Sequence, residues 1–169
     1  MHTDEDLDRL QVILDASAAS ADGLLRQTFD PAGHLLSARQ LARYFDRARG
    51  VALATVTAKG EPRVAPVGAV FHRATLHIPT AENAKRVAHI RRRPAVSVTH
   101  FVLSSIAVIV HGQATLVGRA DPDVAVLDTL HDGGEWWRDL RSRGAGIYIR
   151  IEPEHVYAWA ANPSEFPAL

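Results

Sequence analysis

Short segments rich in β-branched residues, separated by turn residues, fill most of the chain between residues 51 and 160. Their spacing constrains the fold more than any other feature, because strands at such short intervals pair with one another through turns. The pattern predicts six or seven strands with one helix after the third, which is typical of an antiparallel barrel. The predicted strands lie at residues 51–58, 63–71, 74–79, 95–103, 106–118, 146–152 and 155–160.

Two residues inside these strands predict irregularities in the sheet. Pro66 removes one backbone donor, so the strand at 63–71 is expected at an edge, or beside something other than a full ladder. Gly112 stands inside the long segment at 106–118 and indicates a bend or a bulge.

Helical patterns precede the first strand. Apolar residues at spacings of three and four, beginning at Leu7, predict a helix over residues 4–28. Pro31 and Gly33 interrupt that pattern. Ser37 is the predicted N-cap of a second helix with the sequence ARQLARYFDRA.

The composition excludes several classes of site. The chain has no cysteine, which removes disulfides, thiolate nucleophiles, iron–sulfur clusters and cysteine-ligated zinc. Its nine histidines are scattered without an HxH, HExxH or HxxxH grouping, so no metal site is predicted. No GxSxG or GxGxxG motif is present either, and no catalytic acid or base can be named.

Charge and hydropathy predict a soluble cytoplasmic protein. The 19 Lys and Arg residues balance 19 Asp and Glu residues, which argues against a nucleic-acid partner. The N-terminus, MHTDEDLDRL, is acidic and does not resemble a secretory signal. The longest apolar run, IAVIVHG, is far shorter than the roughly 20 residues that span a bilayer, so no membrane partner is expected.

The segment PTAENAKRVAHIRRRP, residues 79–94, concentrates five cations in a neutral chain. It predicts a helix capped by Thr80 and ended by Pro94. Arg91–Arg93 are interpreted first as a solvated helix end, where cations favour the helix dipole. A nucleic-acid patch is disfavoured, because no aromatic residue lies between the cations. A third interpretation is a single phosphate at the helix N-terminus, held by Thr80, Lys85 and Arg86.

Three segments in order, ALATVTAKGEPRVAPVGAVF, LHIPTAENAKRVAHIRRRPAVSV and AVIVHGQATLV, resemble the pyridoxamine 5′-phosphate oxidase-like split β-barrel family. The similarity covers roughly residues 41–119 and is greatest to its actinobacterial flavin- and deazaflavin-binding members. It implies a mainly β fold, a six-stranded antiparallel split barrel with peripheral helices. The flavin-binding barrel would occupy residues 41–169, with a helical extension at residues 1–40. The resemblance also implies a homodimer, with the flavin in a groove between the subunits.

The resemblance assigns two groups of cofactor-binding residues. One lies beside the flavin ring and the other, in segment 79–86 together with Arg63, holds the phosphate. The expected cofactor-binding residues are Arg63, Val64, Ala65, Pro66, Val67, Pro79, Thr80, Ala84, Lys85 and Arg86.

The chain departs from the family pattern in three places. The family usually has Ser at the position of Ala84 and Lys at the position of Arg86. The missing hydroxyl removes a phosphate contact worth roughly 1.5–3 kcal/mol. The C-terminal sequence WAANPSEFPAL lacks the substrate-binding Trp and Arg residues of the true oxidases, so pyridoxamine phosphate is not the expected substrate.

The leading hypothesis is a flavin-dependent oxidoreductase with a small-molecule substrate. FMN is the first choice of cofactor, coenzyme F420 the second and haem a minor alternative. A carrier that binds flavin or haem without turnover is the alternative function, and a cofactor-free dimerisation module is a third. Of the adjacent Trp136 and Trp137, one is expected to pack on the barrel and the other to be free, since neighbouring residues point to different faces.

Overall fold

A computed structural model describes residues 2–21, 23, 31–131 and 133–168, with the backbone alone at residues 31 and 32. No helix in these ranges is both long enough and apolar enough to cross a membrane. The helices are α1 Asp4–Ser20, α2 Pro31–His34, α3 Ala38–Phe45, α4 Lys85–Arg92, α5 Val124–Leu130 and α6 Gly134–Ser142, followed by a short 3₁₀ turn, Pro163–Glu165.

The strands form one antiparallel sheet with seven members in the described part of the chain, in the order β2-β1-β5-β6-β7-β4-β3. The predicted mainly β fold is therefore confirmed, with seven strands rather than six. The strands are β1 Gly50–Val56, β2 Pro62–Gly68, β3 Val70–His72, β4 Thr75–Ala81, β5 Ala95–Val102, β6 Ile106–Val117 and β7 Gly146–Ala160.

The strand boundaries differ from the prediction in two places. The predicted strand at 63–71 is divided at Ala69 into β2 and β3, which lie at opposite edges of the sheet. The predicted strands at 146–152 and 155–160 are one continuous strand, β7, because β6 pairs with it along its whole length. The intervening Pro153 and Glu154 do not end the strand, since the register shifts there instead.

A one-residue connection closes the sheet into a barrel. Laid flat, seven strands would separate β2 from β3 by roughly 29 Å, at about 4.8 Å per neighbour. Only Ala69 joins them, and consecutive Cα atoms are about 3.8 Å apart. The sheet must therefore curl until the end of β2 reaches the start of β3, although the two edge strands do not pair with each other. Ala69 is buried at this junction, and its N–H donates to the Arg49 carbonyl oxygen at 2.8 Å.

The predicted irregularity at Gly112 is confirmed as a bulge between β6 and β7. His111 pairs with His155, but the next residue, Gly112, pairs with Pro153. This register shift brings the β7 backbone very close to Gly112. A Cβ atom at position 112 would lie 2.1 Å from the Glu152 carbonyl oxygen, so only glycine fits.

The helices before β1 pack onto the barrel core. Leu10 and Leu14 of α1 and Leu41 and Phe45 of α3 belong to the same buried cluster as the strand residues. The Ser17 hydroxyl of α1 also accepts a hydrogen bond of 2.9 Å from the β7 backbone. The division of the chain at residue 40 stays a prediction.

The predicted N-cap at Ser37 is confirmed, and a reciprocal hydrogen-bonded box with Gln40 completes it. The same arrangement, between Thr3 and Asp6, begins α1. The predicted end of α1 at residue 28 is wrong as far as the structure describes that segment, because the helix ends at Ser20. Residues 22 and 24–28 of the predicted helix lie outside the described residues.

A second, smaller core lies under α5 and α6. Trp137 is 3% exposed and packs at 5.0 Å between ring centres against Tyr148, whereas Trp136 is 56% exposed. The prediction that one tryptophan packs and the other is free is confirmed. Asp128 accepts hydrogen bonds from both Trp137 and Tyr148, and also pairs with Arg141. Burial, and then the Asp128 carboxylate, raise the pKa of Tyr148.

A buried histidine links β4 to β7. The Arg150 Nε donates to His77 Nε2 at 3.2 Å, which leaves Nδ1 as the donor to the Thr75 carbonyl oxygen at 3.1 Å. Arg150 is held in turn by Asp121 and Asp123. Burial, together with the Arg150 charge, lowers the pKa of His77 from 6.5 to about 4.

His77 is expected to make the protein less stable in acid. An unfolded chain binds a proton at this position near pH 6.5, but the folded chain does so only near pH 4. Between these values the unfolded state binds more protons, so the free energy of unfolding falls as pH falls, by about 3 kcal/mol in total. Urea titrations between pH 7 and pH 4 measure this loss, and His77→Gln should reduce it.

His155→Gln is the matched control, because His155 is exposed on β7. It should leave the pH dependence of stability as it is in the unchanged protein. If His77→Gln and the unchanged protein lose stability equally between pH 7 and pH 4, the assignment to His77 is wrong.

Gly112→Ala is expected to destabilise the fold by about 3 kcal/mol, because the new methyl group must displace the β7 backbone. Gly118→Ala is the control, since nothing lies within 4 Å of a Cβ at that position. Denaturant unfolding of both variants measures the difference. Similar midpoints for the two variants would contradict the close approach at Gly112.

Candidate functional site

A cleft of about 410 Å³ lies between α4 and the β1–β2 hairpin. Its floor comes from alternate residues of β1 and its continuation, one wall from β2, and the other wall from the first turns of α4. The volume is within the range of about 300–1,000 Å³ that is usual for ligand sites. The lining residues are Leu53, Thr55, Thr57, Arg63, Val64, Ala65, Ala84, Lys85, Arg86 and His89.

The β2 wall of the cleft is an edge strand. Pro66 pairs with Ala52 of β1, and β2 has no further neighbour on its other side in the sheet order. This confirms the edge position predicted from Pro66. The outward backbone groups of an edge strand are open to a new partner. Val64, an apolar residue, is 69% exposed on this strand and borders the cleft.

The α4 wall begins later in the chain than predicted. Strand β4 continues to Ala81, and Thr80, which is 2% exposed, pairs with Ile147 of β7. Helix α4 begins at Lys85 with Ala84 as its N-cap, and no side chain caps it. The prediction that Thr80 caps the helix is therefore wrong, because pairing with β7 keeps it in the sheet.

Two cations on the cleft wall have no counter-ion. Lys85 is exposed and Arg86 is half-buried, and neither forms an ion pair or a side-chain hydrogen bond with any residue that the structure describes. Arg63 faces them from β2, and its guanidinium pairs with Glu61 at 2.7 Å. Both partners of that pair are about half exposed, so the pair is weak and can be exchanged for a ligand.

The remaining cations of segment 79–94 lie outside the cleft. Arg91 pairs with Glu82 at 3.1 Å, and Arg93 donates to the Ala58 carbonyl oxygen at 3.3 Å. All three of Arg91–Arg93 are exposed. This placement agrees with their interpretation as a solvated helix end.

The structure brings six of the ten expected cofactor-binding residues to the cleft: Arg63, Val64, Ala65, Ala84, Lys85 and Arg86. The other four do not border it. Pro66 and Val67 continue along β2 beyond the lining residues, and Pro79 and Thr80 are buried in β4.

Sequence reasoning missed four lining residues, and each carries a signal that could have found it. Leu53, Thr55 and Thr57 alternate on one face of β1 and its extension, which is the period of a strand. His89 follows Lys85 by four residues and therefore shares its helix face.

The family pattern of pyridoxamine 5′-phosphate oxidase matches residues 38–160, which is most of the chain. The chain therefore belongs to the pyridoxamine 5′-phosphate oxidase family, and the resemblance noted from the sequence is confirmed. No curated protein matches the sequence at a significant level.

Solved structures share the fold at low sequence identity. A FAD-binding protein from Mesorhizobium loti is 23% identical with a TM-score of 0.57, over 73% of this chain and 94% of that one. The heme storage protein HutZ from Vibrio cholerae is 20% identical with a TM-score of 0.57, over 69% and 90%. An F420 reductase is 20% identical with a TM-score of 0.53, over 66% and 91%.

The donor set of the cleft fits a phosphate group. Arg63, Lys85 and Arg86 bring positive charge from two sides, and no carboxylate is among the described residues that line the cleft. The N-terminus of α4 adds backbone N–H groups and the positive end of the helix dipole. Arginine also matches phosphate geometry with two parallel hydrogen bonds.

Ala84→Ser is expected to stabilise the ligand-free protein by about 1 kcal/mol, because a serine at the N-cap accepts a hydrogen bond from the first turn of α4. Ala88→Ser, in the exposed middle of the same helix, is the control and should be slightly destabilising. Thermal or urea unfolding of both variants measures the difference, and equal effects would contradict the assignment of Ala84 as the N-cap.

Proposed function

We propose that this protein is a flavin-dependent oxidoreductase that acts on a small-molecule substrate. The observation that carries the proposal is the pair of cations, Lys85 and Arg86, which have no counter-ion among the described residues and border a cleft beside an open edge strand. A site of this kind suits an extended ligand whose anionic end contacts the cations and whose remainder lies along the edge strand.

Each wall of the cleft has a separate task in this proposal. Lys85, Arg86 and Arg63 bind the phosphate, and the flavin ring lies along Val64 and Ala65 and extends past the cleft along the edge strand toward residues 66–67. Because Pro66 has no backbone N–H, a ring can lie against this part of the strand without leaving a donor unpaired at residue 66. A bound flavin supplies the hydride chemistry, while the chain binds it, orients it and shields it from water.

The choice of cofactor follows from the cations of the cleft, which suit a cofactor with an anionic group, and from the solved structures that share the fold. The FAD-binding protein and the F420 reductase with this fold support a flavin or a deazaflavin. We place FMN first and coenzyme F420 second, because both combine a ring system with a phosphate group. The absence of a hydroxyl at Ala84 weakens the phosphate site, and Arg86 offsets part of that loss.

Binding without turnover is the second candidate function. The heme storage protein HutZ shares the fold, which supports a carrier of haem or flavin. The exposed apolar surface at Val64 suits either ring system. Reduction of a bound flavin by NAD(P)H, followed by reoxidation with an added substrate, distinguishes an enzyme from a carrier, since a carrier would show no turnover.

Two further features belong to the proposal. We propose a homodimer in which a second copy covers the exposed face of β2 and completes the ring-binding groove. We also propose a cytoplasmic location, where reduced nicotinamide and flavin cofactors are available.

Visible absorption of the purified protein, followed by titration with FMN and then with F420, tests the cofactor assignment directly. Saturable binding of either compound supports the phosphate site and names the cofactor for turnover assays. A colourless protein that binds neither compound would contradict the proposal.

Arg86→Ala is expected to weaken FMN binding by about 1.5–3 kcal/mol, or roughly 10- to 150-fold, because it removes a charged donor to the phosphate. Arg92→Ala is the matched control. Arg92 lies on the same helix, is exposed, forms no ion pair in the described part of the chain and does not border the cleft. Fluorescence titration of FMN measures both variants, and equal losses of affinity would refute the assignment of the phosphate site.

A further inference from the structure

His89 is the one lining residue of the α4 wall whose side chain is fixed by a buried partner. Its Nδ1 atom lies 3.0 Å from the hydroxyl oxygen of Thr55, on the floor of the cleft. Thr55 is 4% exposed, so this contact is shielded from water. The imidazole of His89 is itself half-buried and stands one helical turn beyond Lys85, on the same face of α4.

The burial of Thr55 determines which nitrogen of His89 carries the proton. A buried hydroxyl needs an acceptor for its hydrogen, and Nδ1 of His89 is the only side-chain or backbone partner that the described residues give it. If Nδ1 carried the proton of the neutral ring, the hydroxyl would accept that hydrogen bond, and its own buried hydrogen would have no acceptor among the described residues. The hydroxyl therefore donates to Nδ1, and the proton of the neutral imidazole resides on Nε2.

The Nε2 atom has no hydrogen-bond partner in the part of the chain that the structure describes. Once the ring is charged, the Thr55 hydroxyl can rotate to accept from Nδ1–H, so Nε2 remains a donor in both charge states. The charged side chains that line the cleft with it are Lys85, Arg86 and Arg63, all cations. An anion in the cleft is thus the partner that the local charges favour.

We infer that His89 is a further ligand for the anionic group of the bound cofactor, donating from Nε2, and that Thr55 is the residue that positions it. The inference rests on the proposed function, because it concerns the anion that Lys85 and Arg86 are proposed to bind. The ligand class is a phosphate ester, for which Ala84 provides no hydroxyl.

Binding of FMN is compared with binding of riboflavin, which has the same ring but no phosphate. His89→Ala should weaken FMN binding by about tenfold or more and leave riboflavin binding unchanged. His89→Gln should recover part of the loss, because its amide nitrogen can donate from a similar position. Thr55→Val, which keeps the shape but removes the hydroxyl, should lower FMN affinity in the same selective way and by less.

The tautomer gives a readout that does not depend on any cofactor. Long-range ¹H–¹⁵N correlation spectra of the ligand-free protein should show His89 as the Nε2–H form, and Thr55→Val should lose that preference. Addition of inorganic phosphate should shift the Nε2 resonance of His89. An Nδ1–H form in the unchanged protein, or a phosphate titration without any shift at Nε2, would overturn the inference.

The two hypotheses fail in different ways. If Arg86→Ala weakens FMN selectively while His89→Ala has no effect, the proposed function stands and the role of His89 is refuted. Equal losses of FMN and riboflavin in His89→Ala would show a purely structural role and also refute it. If the unchanged protein binds FMN no better than riboflavin, the phosphate site and the role of His89 are both refuted.

Discussion

The single residue that joins β2 to β3 is the constraint on which the rest of the structure depends. Because these strands occupy opposite edges of the sheet, their direct connection through Ala69 curls the sheet into a barrel. Strand β2 nevertheless remains an edge strand, because β1 is its only partner in the described sheet. The cleft lies where α4 packs against β1 and leaves β2, the outermost strand, uncovered. One wall of the cleft is therefore a strand edge without a partner in the described sheet.

The cations of segment 79–94 differ in the partners that they contact. Arg91 and Arg93 reach a carboxylate and a backbone carbonyl outside the cleft, whereas Lys85 and Arg86 border the cleft with no counter-ion in the described part of the chain. Lys85 and Arg86 are therefore open to an anionic ligand that enters the cleft. Because only the cations at the start of α4 border the cleft, that end of the helix gives the cleft wall its positive charge. The buried contact of His89 with Thr55 extends the same polarity toward the floor.

The fold by itself leaves the function open. Solved structures with this fold include a FAD-binding protein, an F420 reductase and a heme storage protein, so the fold does not choose among these ligands. The choice depends on side chains in the cleft. Three cations and no described carboxylate line the cleft, which favours a ligand with an anionic group, and Ala84 offers no hydroxyl at the start of α4. The ligand therefore depends on the side chains of the site, and the fold only positions them.

The sequence by itself determined where most strands lie, the edge position of β2, the bulge at Gly112 and the cap at Ser37, because each depends on neighbouring residues or on one backbone group. The division of residues 63–71 between two strands and the continuity of β7 depend instead on pairing with distant strands. It also indicated which helix carries the cations of the cleft wall, Lys85 and Arg86. Only the tertiary structure decided where α4 begins and what faces it. Thr80 has the chemistry of a cap, but pairing with β7 over a long sequence distance holds it in β4. Thr55 and His89 meet for the same reason: contacts between residues 34 positions apart depend on how the sheet closes, which no local pattern records.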